Sequence, residues 1–208
     1  MIITIYSTNG GTGKTTISLT LANIFFYQLK KKVHLYCWND KQEDSMRSRD
    51  REVAMKNLNQ ENLYPISKLD NFGEIAHYAG AKDKFAIIDM SWQPDNEIIK
   101  QSDLALITSL PSKLDFVSLL TNNCLDFTKS FVLVNNVMQK YKDEEHVNEF
   151  IDLIDELVKY YHRKVKFTPF IFEDQQLSLL NSTSISTAIF EMFKPLVDFI
   201  YKELELNE

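Results

Sequence analysis

Cysteine is nearly absent from this chain of 208 residues: only Cys37 and Cys124 occur. Two such distant thiols make neither a disulfide framework nor a zinc site, and a reducing, cytoplasmic compartment is the expectation. No apolar run approaches the ~18 residues of a membrane-spanning helix. The N-terminus opens directly on a strand-like stretch, so no signal peptide is expected. His34, His77, His146 and His162 are dispersed without ligand spacing, which argues against an imidazole metal centre. No Ser/His/Asp or Cys/His arrangement supports nucleophilic catalysis, and Cys37 reads as a small buried residue. The net charge of −6 argues against nucleic-acid binding over the whole surface, while leaving room for a local basic patch.

Glycine is also sparse, and its placement is the most informative feature of the chain. Three of the five glycines, Gly10, Gly11 and Gly13, fall within four residues and run into Lys14, Thr15 and Thr16. The preceding Ile2-Ile3-Thr4-Ile5-Tyr6 is β-branched and aromatic, as a buried strand requires. The following stretch, to about residue 31, places Ile17, Leu21, Ile24 and Phe25 on one helical face. Strand, glycine turn and helix in that order make a phosphate-binding loop. Glycines let successive N–H groups turn inward, and the helix start adds roughly half a positive charge. Lys14 reaches the terminal phosphates, and the Thr15 hydroxyl is placed to ligate Mg²⁺. A nucleoside triphosphate, ATP before others, is the expected ligand. One departure from G-x-x-x-x-G-K-[ST] is Thr8, which stands where the first glycine belongs.

With 44 % hydrophobic and 25 % charged residues, the composition is globular, and residues 1–208 suit a single domain with a sizeable core. Strand and helix patterns alternate throughout. Strands are expected at 33–37, 85–88, 104–107, 131–134 and 165–167, and helices at 68–81, 114–128 and 143–161. Residues 38–50 read as a loop and 51–59 as weakly helical. The 143–161 helix would turn Val147, Phe150, Ile151, Ile154, Leu157 and Tyr161 to one face. Ile189, Phe193, Leu196, Val197, Ile200 and Leu204 mark a closing helix that Pro195 interrupts or restarts. The expected fold is α/β: a doubly wound, mostly parallel sheet with helices on both faces. Asp89, ending the 85–88 strand, is the candidate second Mg²⁺ ligand, whereas Asp103 reads as a turn residue.

Asn9-Gly10-Gly11-Thr12-Gly13-Lys14-Thr15-Thr16 resembles the deviant phosphate loop K-G-G-x-G-K-T-T of the ParA/MinD ATPases. Phe85-Ala86-Ile87-Ile88-Asp89 is similar to their second acidic motif. Ser102-Asp103-Leu104-Ala105-Leu106-Ile107 and Pro111-Ser112-Lys113-Leu114-Asp115-Phe116 resemble the strand, proline turn and helix that follow in small plasmid-partition ATPases. Val132-Leu133-Val134-Asn135 resembles their strand ending in an asparagine that contacts the base. The resemblance implies that Asn9, Gly10, Gly11, Thr12, Gly13, Lys14, Thr15, Thr16 and Asn135 bind ATP, with Mg²⁺ on Thr15 and Asp89. It further implies an ATP-dependent homodimer that positions DNA or another cargo with a small adaptor or centromere-binding protein.

Two departures bear on hydrolysis. The family's extra lysine, which crosses the dimer interface, is Asn9 here. Arginine fingers of that kind contribute about 10³–10⁵ in rate, and asparagine brings no charge. After the second strand the family usually carries D-x-D-P-Q, whereas this chain reads Cys37-Trp38-Asn39-Asp40-Lys41-Gln42. Asp40, shifted by one place, becomes the catalytic candidate beside Lys14. Both changes spare phosphate binding, so tight Mg-ATP binding with slow or partner-dependent turnover is expected. A non-hydrolysing regulatory module of the same fold is the alternative, and a metabolic enzyme lacks an identifiable second-substrate pocket. No guanine-reading N-K-x-D follows Asn135. Lys159, Arg163, Lys164 and Lys166 form the most basic stretch and the candidate contact with nonspecific DNA. Arg47, Arg49 and Arg51 form a second cluster with partly offset charge. The closing helix lacks the character of a basic membrane anchor, so no membrane role is expected.

Overall fold

The computed structural model describes residues 1–38, 63–90, 95–121, 129–139, 144–179 and 183–206. Its centre is β1 (Ile2–Tyr6), with all five residues buried. β1 lies between β4 (Lys84–Met90) and β5 (Leu104–Ser109), parallel to both, with Ile5 opposite Asp89 and Leu106. β2 (Lys32–Trp38) and β3 (Ile66–Leu69) extend the sheet beyond β4, and β6 (Ser130–Val134) closes the other edge. The order β3-β2-β4-β1-β5-β6 is parallel throughout. The chain leaves β1 toward one side and later fills the other, so the loop after β1 stands at a topological switch point, where open α/β sheets bind ligands.

Helices cover both faces, which explains why the strands are apolar on both sides. On one face Ile3, Ile5, Leu35, Phe85, Ile87 and Leu106 pack with Ile17 and Leu21 of α1 (Lys14–Asn23). Phe193, Leu196 and Ile200 of the C-terminal helix (Thr187–Glu203) join the same cluster. On the other face Ile2, Tyr6, Ile88, Ile107 and Val134 meet three further helices. These are α2 (Asn96–Gln101), α3 (Lys113–Leu120) and α4 (Glu144–Tyr160), which makes the C-terminal helix α5. Side-chain oxygens cap α2 through Asp95, α3 through Ser112 and α5 through Ser186. Gly13 precedes α1 without a capping side chain.

The expected helix at 68–81 is not formed. Ile66–Leu69 is a strand paired with Leu35–Trp38, followed by two short 3₁₀ turns, Phe72–Glu74 and Ala76–Tyr78. Leu69, Phe72 and Ile75 are spaced as on a helix. Asn71 is nevertheless extended (φ −153°, ψ 155°), and the main chain of β2 claims the hydrogen bonds of 66–69, a tertiary override of local pattern. The strand expected at 165–167 reduces to one bridge, Phe167 with Val132. α1 ends before residue 31: a π turn, Ile24–Gln28, follows it, and Lys30 adopts φ 54°. On α4, Ile154 and Leu157 are buried as expected, whereas Ile151 is exposed. α5 runs unbroken through Pro195, which lies on its exposed side. The readings of 38–50 and 51–59 fall almost wholly outside the described residues, as do Arg47, Arg49, Arg51 and the end of the 114–128 helix.

At the opposite end of the sheet from the glycine turn, His34 Nε2 and Ser67 Oγ are 2.7 Å apart, and the imidazole stacks on Tyr36 at 3.9 Å. Burial, helped by His77, lowers the His34 pKa from 6.5 to about 4. The unfolded chain therefore takes up this proton first, and stability present above pH 6.5 is lost as pH falls toward 4. Urea unfolding at pH 7 and pH 5 checks this: His34→Gln should lose less stability between the two than the wild type.

Candidate functional site

The main chain turns out of β1 at Ser7, and two left-handed glycines, Gly11 (φ 76°) and Gly13 (φ 87°), shape the turn. Gly10 and Gly11 form an open crest, while Thr12 is buried. Gly13 is the tight point. A Cβ there would overlap Nδ2 of Asn135, the same nitrogen that donates to the Thr12 carbonyl at 3.0 Å. Thr12 Oγ1 lies 2.8 Å from Thr108 Oγ1 on β5, and Thr108 donates to the Tyr6 carbonyl. The turn is thus held from behind by side chains of β5 and of the end of β6. Asn135, which the resemblance implies contacts a base, also buttresses the loop through this bond.

α1 starts directly at Lys14, with no side-chain cap and no acidic residue in its first turn. Its leading amides therefore remain available to an anion. Lys14 Nζ donates to Ser7 Oγ at 2.9 Å, and Ser7 Oγ donates to the Asn9 carbonyl. Burial lowers the Lys14 pKa, opposed by the nearby Asp89. Asp89, at the end of β4, is fully buried and accepts from Thr15 Oγ1 at 2.8 Å. Burial pushes its carboxyl up to about 6, against hydrogen bonds from Thr15 and Ser18 and the charge of Lys14. A desolvated cation and a desolvated carboxylate at the helix start are the charges that a phosphate and a divalent ion would compensate. The paired hydroxyl and carboxylate oxygens also suit a hard cation such as Mg²⁺. The residues present fit both groups.

Asn9, Gly10, Gly11, Thr12, Gly13, Lys14, Thr15, Thr16, Asp89 and Asn135 therefore gather at one end of the sheet. Thr16 lies in the first turn of α1, its carbonyl accepting from Thr20 one turn on. Cys37 is buried on β2 in register with Asp89. Asp40 and Asn39 lie outside the described residues. Asp103 sits at the other end, accepting from Ile2 N at 2.7 Å. Of the basic stretch, Arg163 donates through Nε to the Leu120 carbonyl that ends α3, and Lys166 stacks over Phe131 at 5.3 Å. Arg163 is half-buried there, whereas Lys159, Lys164 and Lys166 are exposed.

Two side chains given no role from sequence also reach the loop. Asn9 Nδ2 donates to Asp115 Oδ1 at 2.6 Å, and Ser118 Oγ donates to Asn9 Oδ1 at 3.2 Å. The signal available was the Ser112-x-x-Asp115 spacing of a helix start, which fixes α3 but says nothing of its neighbour.

Residues 3–186 match the family described as the CobQ/CobB/MinD/ParA nucleotide binding domain. The chain belongs to this family. Comparison with curated proteins gives no match. Among solved structures, a putative plasmid partition protein from Borrelia burgdorferi B31 bound to AMPPNP is similar at 19 % identity and TM-score 0.63, covering 97 % of this chain and 98 % of that one. A Cyanothece McdA variant in complex with ATP is similar at 18 % identity and TM-score 0.63, covering 100 % and 97 %. A pNOB8 ParA bound to nonspecific DNA is similar at 13 % identity and TM-score 0.52, covering 98 % and 97 %. At these identities the likeness is one of fold, and the fold is the nucleotide-binding sheet of ParA and MinD. Among the described residues of this ParA-like chain, no helix is long and apolar enough to cross a membrane.

The contrast between neighbouring glycines gives a test. A side chain in the left-handed region costs about 1–2 kcal/mol, and Gly13→Ala adds the overlap with Asn135. Chemical denaturation should show at least that loss for Gly13→Ala. Gly10→Ala, with open space around it, should stay within about 0.5 kcal/mol of wild type.

Proposed function

We propose that residues 1–208 form a single unit that binds ATP with Mg²⁺ and works as an ATP-switched dimer in plasmid partition or cargo positioning. The observation that carries this reading is the uncapped start of α1, with Lys14 and the Thr15–Asp89 pair beside it. The amides of residues 10–16 and Lys14 take the phosphates. Thr15 and Asp89 hold the Mg²⁺, once the Thr15 hydroxyl turns its proton away from the carboxylate. The ion supplies charge compensation at the phosphates. Asn135 contacts the nucleotide and supports the loop through Thr12. Asp40 is assigned the hydrolytic role left by Cys37 and Asn39.

Hydrolysis is slow or partner-stimulated in this reading, because residue 9 brings no charge and its amide is engaged by α3 of the same chain. That same observation favours a second reading, a nucleotide-held regulatory module that does not hydrolyse. The molecules bound to the solved relatives support the wider assignment: AMPPNP or ATP in two, and nonspecific DNA with the third. For this chain the DNA contact falls to Lys159, Arg163, Lys164 and Lys166, of which Lys159, Lys164 and Lys166 are exposed and Arg163 is half-buried against the end of α3. A small adaptor protein is the partner that would stimulate turnover, and the setting is cytoplasmic.

The test is Mg-ATP binding and hydrolysis by the purified protein, with its mass in solution recorded and Lys14→Ala as control. Loss of the Lys14 contact, a charged hydrogen bond, should weaken binding by about 10- to 100-fold. ATP-dependent doubling of mass with turnover supports the partition reading. Binding without turnover supports the regulatory module, and absence of binding by the wild type removes both.

A further inference from the structure

Asn9 is fixed at three atoms. Its carbonyl accepts from Ser7 Oγ, its Nδ2 donates to Asp115, and its Oδ1 accepts from Ser118. Asp115 and Ser118 are one turn apart on α3, so they present neighbouring groups on one face. One is an acceptor and the other a donor, and a carboxamide is the side chain that offers both in return. A lysine at this position has donors alone, so it would leave the Ser118 hydroxyl without its acceptor. Asp115 is itself set by Ser112: its N–H donates to Ser112 Oγ, and that hydroxyl donates back to Asp115 Oδ2. The N-cap of α3 and the crest of the phosphate loop therefore share one carboxylate.

We propose that Asp115 and Ser118 are positioning residues for phosphate binding, acting through Asn9 to hold the crest of the loop on α3. Residue 9 is thereby an inward staple. Gly10 and Gly11 are exposed with open space beside them, so the bonds of Asn9 to α3 restrain the outer limb of the turn. Thr12 and Asn135 restrain only the inner limb. Ordering the outer limb before a ligand arrives removes that cost from binding. The proposal rests on the reading of the loop as a phosphate site, and its test separates the two.

The experiment measures Mg-ATP affinity by calorimetry and amide hydrogen exchange at residues 9–13 without nucleotide, with unfolding midpoints as control. Asn9→Ala and Asp115→Ala should each weaken affinity about tenfold, the loss of one hydrogen bond to a charged group. The double variant should be no more than about threefold worse than either, since both remove one shared contact. Asp115→Asn keeps an acceptor for Asn9 and should recover most of the binding lost in Asp115→Ala, which a general packing role would not produce. Exchange at 9–13 should quicken in both alanine variants, and Asn9→Ala, which leaves the Ser112–Asp115 cap intact, should keep the wild-type midpoint. Wild-type affinity and exchange in Asn9→Ala and Asp115→Ala overturn the staple, as does fully multiplicative loss in the double variant. If the wild type binds no nucleotide, or Lys14→Ala binds as well as wild type, the phosphate-site reading fails instead, and the exchange rates alone decide the staple.

Discussion

The hydrogen bond from Thr15 to Asp89 joins the first turn of α1 to the strand beside β1, and it does so inside the protein. A carboxylate with no exposure is costly unless hydrogen bonds and an opposite charge attend it. Thr15, Ser18 and Lys14 supply both from a single helix end, which fixes where α1 must begin relative to β4. Once that start is set, the turn from β1 has only six residues between Ser7 and Lys14 in which to climb and return. Left-handed Gly11 and Gly13 follow from that length, and so does the absence of a capping side chain.

How far the sequence reveals this depends on where each interaction lies along the chain. The strand, turn and helix at residues 2–25 are legible because every determinant is local: β-branched residues, glycines, then apolar residues at helical spacing. Asp89 is legible from an apolar strand ending in an acid. The false helix at 68–81 has the opposite origin. Leu69, Phe72 and Ile75 imitate helical spacing, and only pairing with β2, whose partners begin some thirty residues earlier, makes 66–69 a strand. Asn9 looks in sequence like a lost charge because its partners, Asp115 and Ser118, are more than a hundred residues away. Resemblance assigns Asn135 to a base, and its contacts with Thr12 and Gly13 appear only in three dimensions.

The basic stretch after α4 illustrates a different limit. Four cations close in sequence suggest a common surface, yet a helix end sorts them. Arg163 turns back to the last carbonyl of α3, an arrangement favoured by the helix dipole, and Lys166 lies over Phe131 of the edge strand. Lys159, Lys164 and Lys166 are exposed, the last with its ammonium near that ring. Composition alone counts four equivalent cations, where the packing leaves three exposed and turns Arg163 toward α3.

Thr12 is held by Thr108 and Asn135, which follow it by 96 and 123 residues. Closing such long loops is slow and must precede any reward from the contact. A chain emerging from the ribosome would thus display its glycine motif early, yet lack the rigid turn until β6 had been made and docked. Nucleotide capture is in this sense a property of the completed sheet, and a truncated product ending before residue 130 would carry the motif without the site.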